Sequence, residues 1–193
     1  GKENITAEAD GLHIIAQKAD GALRDALSMF DQIVSFSGGT ISYQDVIENL
    51  NILDYDYYFK VTEALLKNDI STSLLIFNEI LNNGFDGHNF INGLAEHLRS
   101  LLVCQDGKTV ELLEVGSMIK EKYVLHSESF NTSQIISFLS LINTADTQYK
   151  TSKNQRLLVE VLLMQLCSIE NISTEKIHMI FECSPRTPAL NVE

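Results

Sequence analysis

Residues 21–36, GALRDALSMFDQIVSF, have the pattern of one amphipathic helix with an arginine in its first turn. Ser37-Gly38-Gly39 follows, and it contains the only double glycine of the chain, so we expect the helix to end there. Arg24 is unexpected at its position, because the N-terminus of a helix carries partial positive charge. Five apolar residues recur at the helical spacing that places them on one face: Leu23, Leu27, Phe30, Ile33 and Val34.

The rest of the chain is also predicted to be helical. Its 193 residues contain only two prolines, Pro185 and Pro188, so the strongest helix breaker is absent before residue 185. Residues 170–193 differ, since KIHMIFE (176–182) has strand-like composition without an evident partner strand, and we expect an extended or disordered tail there. The other predicted helices begin at Thr6, Ser42 (with a capping box to Asp45), Asp54, Ser71 (ending near Gly84), Asp86, residue 109, residue 132 and Asn154.

The last helix, Asn154 to Ile169, is apolar on nearly all sides from Leu157 onward, so we expect it at the centre of a bundle. Leucine is also dense in 65–81 and 90–102. One interpretation is that these runs fill the core of a single domain. The other is that one of them leaves an apolar face for a partner, and the sequence does not indicate which run does so.

Composition limits the classes of function. The net charge of −12 argues against direct binding of DNA or RNA by this chain. The cysteines Cys104, Cys167 and Cys183 have no CxxC spacing, which is typical of reduced thiols in a cytoplasmic protein. The most apolar run, residues 157–166, is far shorter than the ~20 residues that span a bilayer. The chain begins with GKENITAEAD, and we expect it to be a piece of a longer protein.

Three motifs of chemical interest do not reach the required pattern. Gly107-Lys108-Thr109 resembles the end of a P-loop, but the position of its first glycine holds Leu102. DYDYY (54–58) lacks the turn glycine and the closing glutamate of a calcium loop. The five histidines are scattered without metal-ligand spacing. We therefore expect no catalytic residue and no metal site, and the chain is not expected to act as an enzyme by itself.

Arg24 has two interpretations. It could pair with Asp20 or Asp25 on the protein surface. Alternatively it could bind an anion, because a helix start presents free N–H groups and a guanidinium adds a forked donor suited to phosphate oxygens. The residues alone do not decide between the two.

A family resemblance favours the second interpretation. The run IAQKADGALRDALSMFDQ (15–32) resembles the lid of the gamma/tau subunits of bacterial DNA polymerase III, the ATPases of the sliding-clamp loader. The resemblance lies in the Ala19-Asp20-Gly21 turn, the Arg24-to-Ser28 stretch RDALS, and Asp31-Gln32. It implies that Arg24 is the sensor-2 arginine, which reaches from the lid to the ATP phosphates held by the P-loop domain of the full-length protein.

The resemblance extends to about residue 169, through SYQDV, NILDYDYYFKVTEALLKND and TSKNQRLLVEVLLMQL. It implies an all-α chain, with a two-helix remnant of an AAA+ lid at 1–40, a collar bundle at 41–169 and a tail at 170–193. The P-loop and Walker B segments would lie upstream, so no cofactor is expected for this chain, whereas ATP and Mg²⁺ are expected in the full-length protein.

The resemblance also implies partners and a place of action. The collar would join other clamp-loader subunits (gamma/tau copies, delta and delta prime) in a five-membered ring in the cytoplasm. DNA and the sliding clamp would be contacted only through domains that this chain lacks, and no membrane is involved. The rival interpretation is a helical adaptor unrelated to ATPases, which would have no need of Arg24.

Overall fold

The structure, a computed structural model, describes residues 5–113 and 115–169. Apart from two strands of two residues each, every regular element of the described residues is a helix, which confirms the all-α prediction. The predicted tail at 170–193 lies outside them. In chain order the elements are β1 (Thr6–Ala7), α1 (Ala9–Lys18), α2 (Leu23–Ser37), β2 (Thr40–Ile41), α3 (Tyr43–Asn49), α4 (Tyr55–Leu66), α5 (Ile70–Asn82), α6 (Gly87–Cys104), a 3₁₀ helix (Val110–Leu112), α7 (Ser117–Ser127), α8 (Thr132–Tyr149) and α9 (Gln155–Cys167).

The helices surround two apolar cores. The first core lies among α1, α2, α3 and the short sheet, and its buried residues include Ile14, Ile33 and Val46. The second core is formed by α4 to α9 around the buried face of α6. Tyr55 packs against both cores and joins them. By packing, α3 therefore belongs with the first two helices, although it follows the double glycine.

The first helix does not begin where the sequence predicted. Thr6 is not an N-cap but part of a parallel strand pair with Thr40, and its N–H donates to the carbonyl of Gly39 at 3.0 Å. Helix α1 begins at Ala9 with Glu8 as its N-cap residue. The Glu8 carboxylate accepts from the N–H of Tyr43 at 2.7 Å, at the start of α3. A β-branched threonine suits an extended backbone, which explains the difference.

Local capping explains most other helix starts. Ser42 and Asp45 form the predicted reciprocal capping box, with bonds of 2.9 and 3.1 Å. Asp54 caps α4 as predicted, whereas the N-cap of α5 is Asp69 rather than Ser71. Either residue type can cap a helix, so the sequence left α5 ambiguous. The helix predicted to begin at residue 109 begins at Ser117, after the 3₁₀ turn.

The end of α5 confirms the predicted role of Gly84. This glycine has a φ of 85°, in the left-handed region that favours glycine. The N–H of Gly84 donates to Leu81 at 3.0 Å and that of Phe85 to Ile80 at 3.2 Å, the paired bonds of a Schellman motif.

Gly107-Lys108-Thr109 forms the loop after α6, as the sequence indicated. The Thr109 hydroxyl donates to the carbonyl of Val103 at 2.6 Å, so this residue closes the end of the helix.

The two cores also touch away from Tyr55. Gly116, the N-cap residue of α7, lies against the carboxylate of Asp10 on α1, so closely that a side chain on Gly116 would overlap it. The contact joins the start of α7, in the second core, to the first turn of α1.

Gly93 gives a test of the second core. It lies in the middle of α6, where alanine normally stabilises a helix by about 1 kcal/mol relative to glycine. A Cβ at this position would overlap the ring and hydroxyl of Tyr58 on α4. We expect Gly93→Ala to lower the free energy of unfolding by about 1–3 kcal/mol, measured by urea denaturation, because Tyr58 must move.

The matched control for this substitution is Gly107→Ala, where an added Cβ has no neighbour within 4 Å and φ is not left-handed. We expect a change below about 0.5 kcal/mol there. A stabilised Gly93→Ala variant would show that Tyr58 moves aside at no cost.

Candidate functional site: the start of α2 and the outer face of α9

The start of α2 is built by the turn Ala19-Asp20-Gly21. Asp20 and Gly21 have φ values of 46° and 78°, which reverse the chain between α1 and α2. The N-cap residue is Ala22, which offers no side-chain acceptor to the helix. Among the described residues, the N–H groups of Leu23 and Arg24 have no hydrogen-bond acceptor. The helix therefore presents an uncapped, partly positive end to the surroundings.

Arg24 is exposed at this helix start. In the described part of the chain it makes no ion pair within 4 Å, so the pairing with Asp20 or Asp25 is not formed in the structure. Leu23 and Leu27, on the adjoining face of α2, are 74% and 55% exposed. A free guanidinium beside exposed leucines suits a surface that packs against another domain and binds an anion there.

The outer face of α9 is the second candidate. Its inner side is buried as predicted, by residues such as Val159, Leu162 and Leu166. The expectation of burial on most sides is wrong for one stripe, because Leu157, Val161 and Met164 are 50%, 40% and 37% exposed. Their spacings of four and three place them on one face. We call these three residues the α9 stripe.

The structure distinguishes the three leucine-rich runs that the sequence left open. The run 90–102 is mainly core, with Phe90, Leu94 and Leu98 fully buried. The run 65–81 has one strongly exposed leucine, Leu75 on α5, and α5 packs beside α9. Arg156 bridges these two helices, with Nη2 at 3.0 Å from Oδ1 of Asn78. The exposed apolar face of α9 is therefore backed by the second core, against which the other side of the helix packs.

Sequence reasoning missed a buried polar network in the second core. The Thr62 hydroxyl donates to the carbonyl of Tyr58 at 2.9 Å, so its oxygen is left to accept from Nε2–H of His97 at 3.3 Å and of His126 at 3.2 Å. Nδ1 of His97 then accepts from the Tyr123 hydroxyl at 2.9 Å. The network joins α4, α6 and α7.

This network makes the stability of the fold depend on pH. Burial lowers the pKa of His97 to about 3, and it also lowers the pKa of His126. The unfolded chain takes up a proton at His97 below about pH 6.5, but the folded chain does not until about pH 3. The stability that depends on a neutral His97 is complete above pH 6.5 and is lost as the pH falls. We expect the free energy of unfolding to fall by about 1.4 kcal/mol for each pH unit between about 6 and 4 from His97 alone.

Urea denaturation at several pH values measures this slope. In His97→Gln the titrating group is gone, so the slope between pH 6.5 and 5 should be shallower although the variant is less stable overall. An unchanged slope in His97→Gln would contradict the assignment of this pH dependence to His97.

Comparison with known proteins gives the family. The profile described as DNA polymerase III clamp loader subunit, ATPase lid domain, matches residues 1–39. The profile described as DNA polymerase III subunits gamma and tau domain III matches residues 41–179, which is most of the chain.

The chain belongs to the gamma/tau family of DNA polymerase III subunits.

Several gamma and tau subunits are similar to it over different lengths. The tau subunit of Bacillus subtilis is 26% identical over 171 residues, covering 89% of this chain and 30% of the relative. The gamma subunit of Buchnera aphidicola from Baizongia pistaciae is 27% identical over 184 residues, covering 92% of this chain and 48% of the relative. The gamma/tau subunit of Mycoplasma pneumoniae is 42% identical over 96 residues, 49% of this chain and 14% of the relative. The chain therefore spans less than half the length of these gamma/tau relatives.

A solved structure agrees with the fold. The delta protein of the Bacillus subtilis DNA clamp loader (YqeN) superposes with a TM-score of 0.54 at 17% identity, over 86% of this chain and 52% of that one. At this identity the likeness concerns the fold alone. Within the described ranges, every helix is too short or too polar to span a lipid bilayer.

Proposed function

We propose that this gamma/tau chain carries the nucleotide-sensing end of the lid and the collar of a clamp-loader ATPase subunit that acts at the bacterial replisome in the cytoplasm. The family profiles support this proposal, since they match a lid domain and gamma/tau domain III in this order. Under the proposal the lid ends near residue 40 and the collar occupies 41–169, with α3 packed on the lid.

Arg24 is the proposed sensor of ATP. The observation that carries this assignment is an exposed guanidinium at an uncapped helix start, with no ion pair inside the described ranges. These groups fit a triphosphate: the guanidinium offers parallel N–H donors and the helix start adds two free N–H groups. The exposed Leu23 and Leu27 would pack against the nucleotide-binding domain of the full-length protein and hold α2 in place.

The chemistry of ATP hydrolysis is proposed to lie elsewhere in the full-length protein. The 193 residues contain no GxxxxGK[ST] run, because the partial match ends at Gly107 without its first glycine. Bound ATP would supply the phosphate charge that Arg24 detects, and Mg²⁺ would bind together with the ATP. In this proposal, contact between Arg24 and the ATP phosphates changes the position of the lid. The chain by itself catalyses nothing.

The second core is the proposed collar, and its binding surface is the α9 stripe with Leu75. The partners would be further gamma/tau copies and the delta and delta prime subunits of the loader. The α9 stripe supports this role because it is apolar, exposed and rigidly backed by the core, as subunit interfaces require. Uptake of the chain into a reconstituted loader, with and without substitutions in the stripe, tests it.

The rival function, a helical adaptor unrelated to ATPases, finds no support in the family match. It also gives no reason for an exposed arginine at the start of α2 that makes no ion pair with any other described residue.

A further inference from the structure

A cleft between α1 and α6 is lined by neither Arg24 nor the α9 stripe. Its volume is about 820 Å³, and it is open to solvent. One wall is α1 with Gln17 and Lys18, and the other wall is α6. Aromatic rings, among them Tyr58, Phe90 and Tyr123, line it as well. We call it the α1–α6 cleft.

Four polar side chains form a row on the α6 wall: Asn89, Asn92, Glu96 and Arg99. Their spacings of three, four and three place them along one face of the helix. All four are exposed, and within residues 5–113 and 115–169 their side chains make no hydrogen bond or ion pair. At 1.5 Å per residue the row is about 15 Å long. An extended chain of four or five residues has this length.

The Tyr58 hydroxyl is a further donor at the same wall. Tyr58 is only 7% exposed, and its ring stacks on Phe90 with centroids 6.1 Å apart. The hydroxyl lies over Gly93, between Asn92 and Glu96 in the row, and finds no hydrogen-bond partner in the described part of the chain. Burial raises the pKa of Tyr58, so the group keeps its proton. A ligand carbonyl in the cleft can therefore accept a hydrogen bond from this hydroxyl.

We propose that the α1–α6 cleft binds an extended peptide segment of a partner protein. The amides of Asn89 and Asn92 both donate and accept hydrogen bonds, as the peptide group does, so they complement a main chain rather than one charged group. Glu96 and Arg99 have opposite charges and Lys18 adds a single positive charge on the other wall, so the cleft has no cluster of like charges. The Tyr58 hydroxyl donates to a peptide carbonyl, and an apolar side chain of the segment packs on the aromatic rings. An open trough with a linear row of donors suits a chain that continues beyond both ends.

Selection from a phage-displayed library of random dodecapeptides on the 193-residue chain tests this proposal. The most enriched peptide is then synthesised and titrated by calorimetry. Asn89→Ala/Asn92→Ala should weaken its binding by at least about tenfold, and Tyr58→Phe by about three- to tenfold, because each loses hydrogen bonds while the rings remain. The control Asn143→Ala, an exposed asparagine on α8, should bind like the wild type. Circular dichroism confirms that each variant is folded.

Two results would overturn the proposal. One is that selection enriches no peptide. Binding of an oligonucleotide at the cleft, without any enriched peptide, would count as the same result. The other is that the selected peptides bind the Asn89→Ala/Asn92→Ala and Tyr58→Phe variants as tightly as the wild type.

Discussion

Arg24→Ala in the full-length protein is expected to lower DNA-dependent ATP hydrolysis and clamp loading by about 10- to 100-fold. The estimate follows from the loss of hydrogen bonds between a guanidinium and phosphate oxygens, which contribute about 1.5–3 kcal/mol. Folding should not change, because Arg24 is exposed and makes no ion pair inside the described ranges. Steady-state ATPase assays with primed DNA and the clamp measure the first effect, and circular dichroism measures the second.

Two further variants make the result specific to Arg24. Lys67→Ala removes the same charge from an exposed residue whose ion pair to Glu63 spans 3.8 Å, and it should leave both activities unchanged. Arg24→Lys keeps the charge but loses the forked geometry, so we expect it to recover only part of the activity. Wild-type activity in Arg24→Ala would refute the sensor role and revive the adaptor interpretation.

Leu157→Asp/Val161→Asp is expected to abolish uptake of the chain into the loader. Each substitution places a carboxylate in a contact that should be dry, and it also removes the ~1–3 kcal/mol that a buried leucine or valine contributes. The chain itself should remain folded, because these side chains are already 50% and 40% exposed. Size-exclusion chromatography of the reconstituted loader measures uptake, and urea denaturation measures stability.

Ile136→Asp is the matched control for the α9 stripe. Ile136 is a similar apolar residue that is 54% exposed, and it lies on α8 rather than in the stripe. We expect normal uptake of this variant. If the α9 double variant assembles as well as Ile136→Asp does, the collar contact lies on another surface.

Local features of the fold could be predicted from the sequence. The Ser42–Asp45 capping box, the Asp54 cap and the Gly84 turn each depend on residues close in the chain. The local sequence is therefore enough to predict them. Thr6 was predicted wrongly because its partner, Thr40, lies far along the chain. A short strand pair is decided by that partner and not by its own two residues.

Features that depend on packing could not be predicted. The outward face of α9 is as apolar as the inward face, so only the neighbouring helices show which residues stay exposed. The Thr62 network joins histidines 35 and 64 residues away along the chain, and no motif marks them. The position of Arg24 followed from the sequence, but its lack of an ion pair within the described ranges required the structure.

The contact between Asp10 and Gly116 has a mechanical consequence. Because Gly116 has no side chain, the carboxylate rests directly on the main chain where α7 begins. A side chain at position 116 would have to push the start of α1 away from the start of α7. The starts of α1 and α7 can therefore come no closer at this point without steric overlap between Asp10 and the main chain of Gly116.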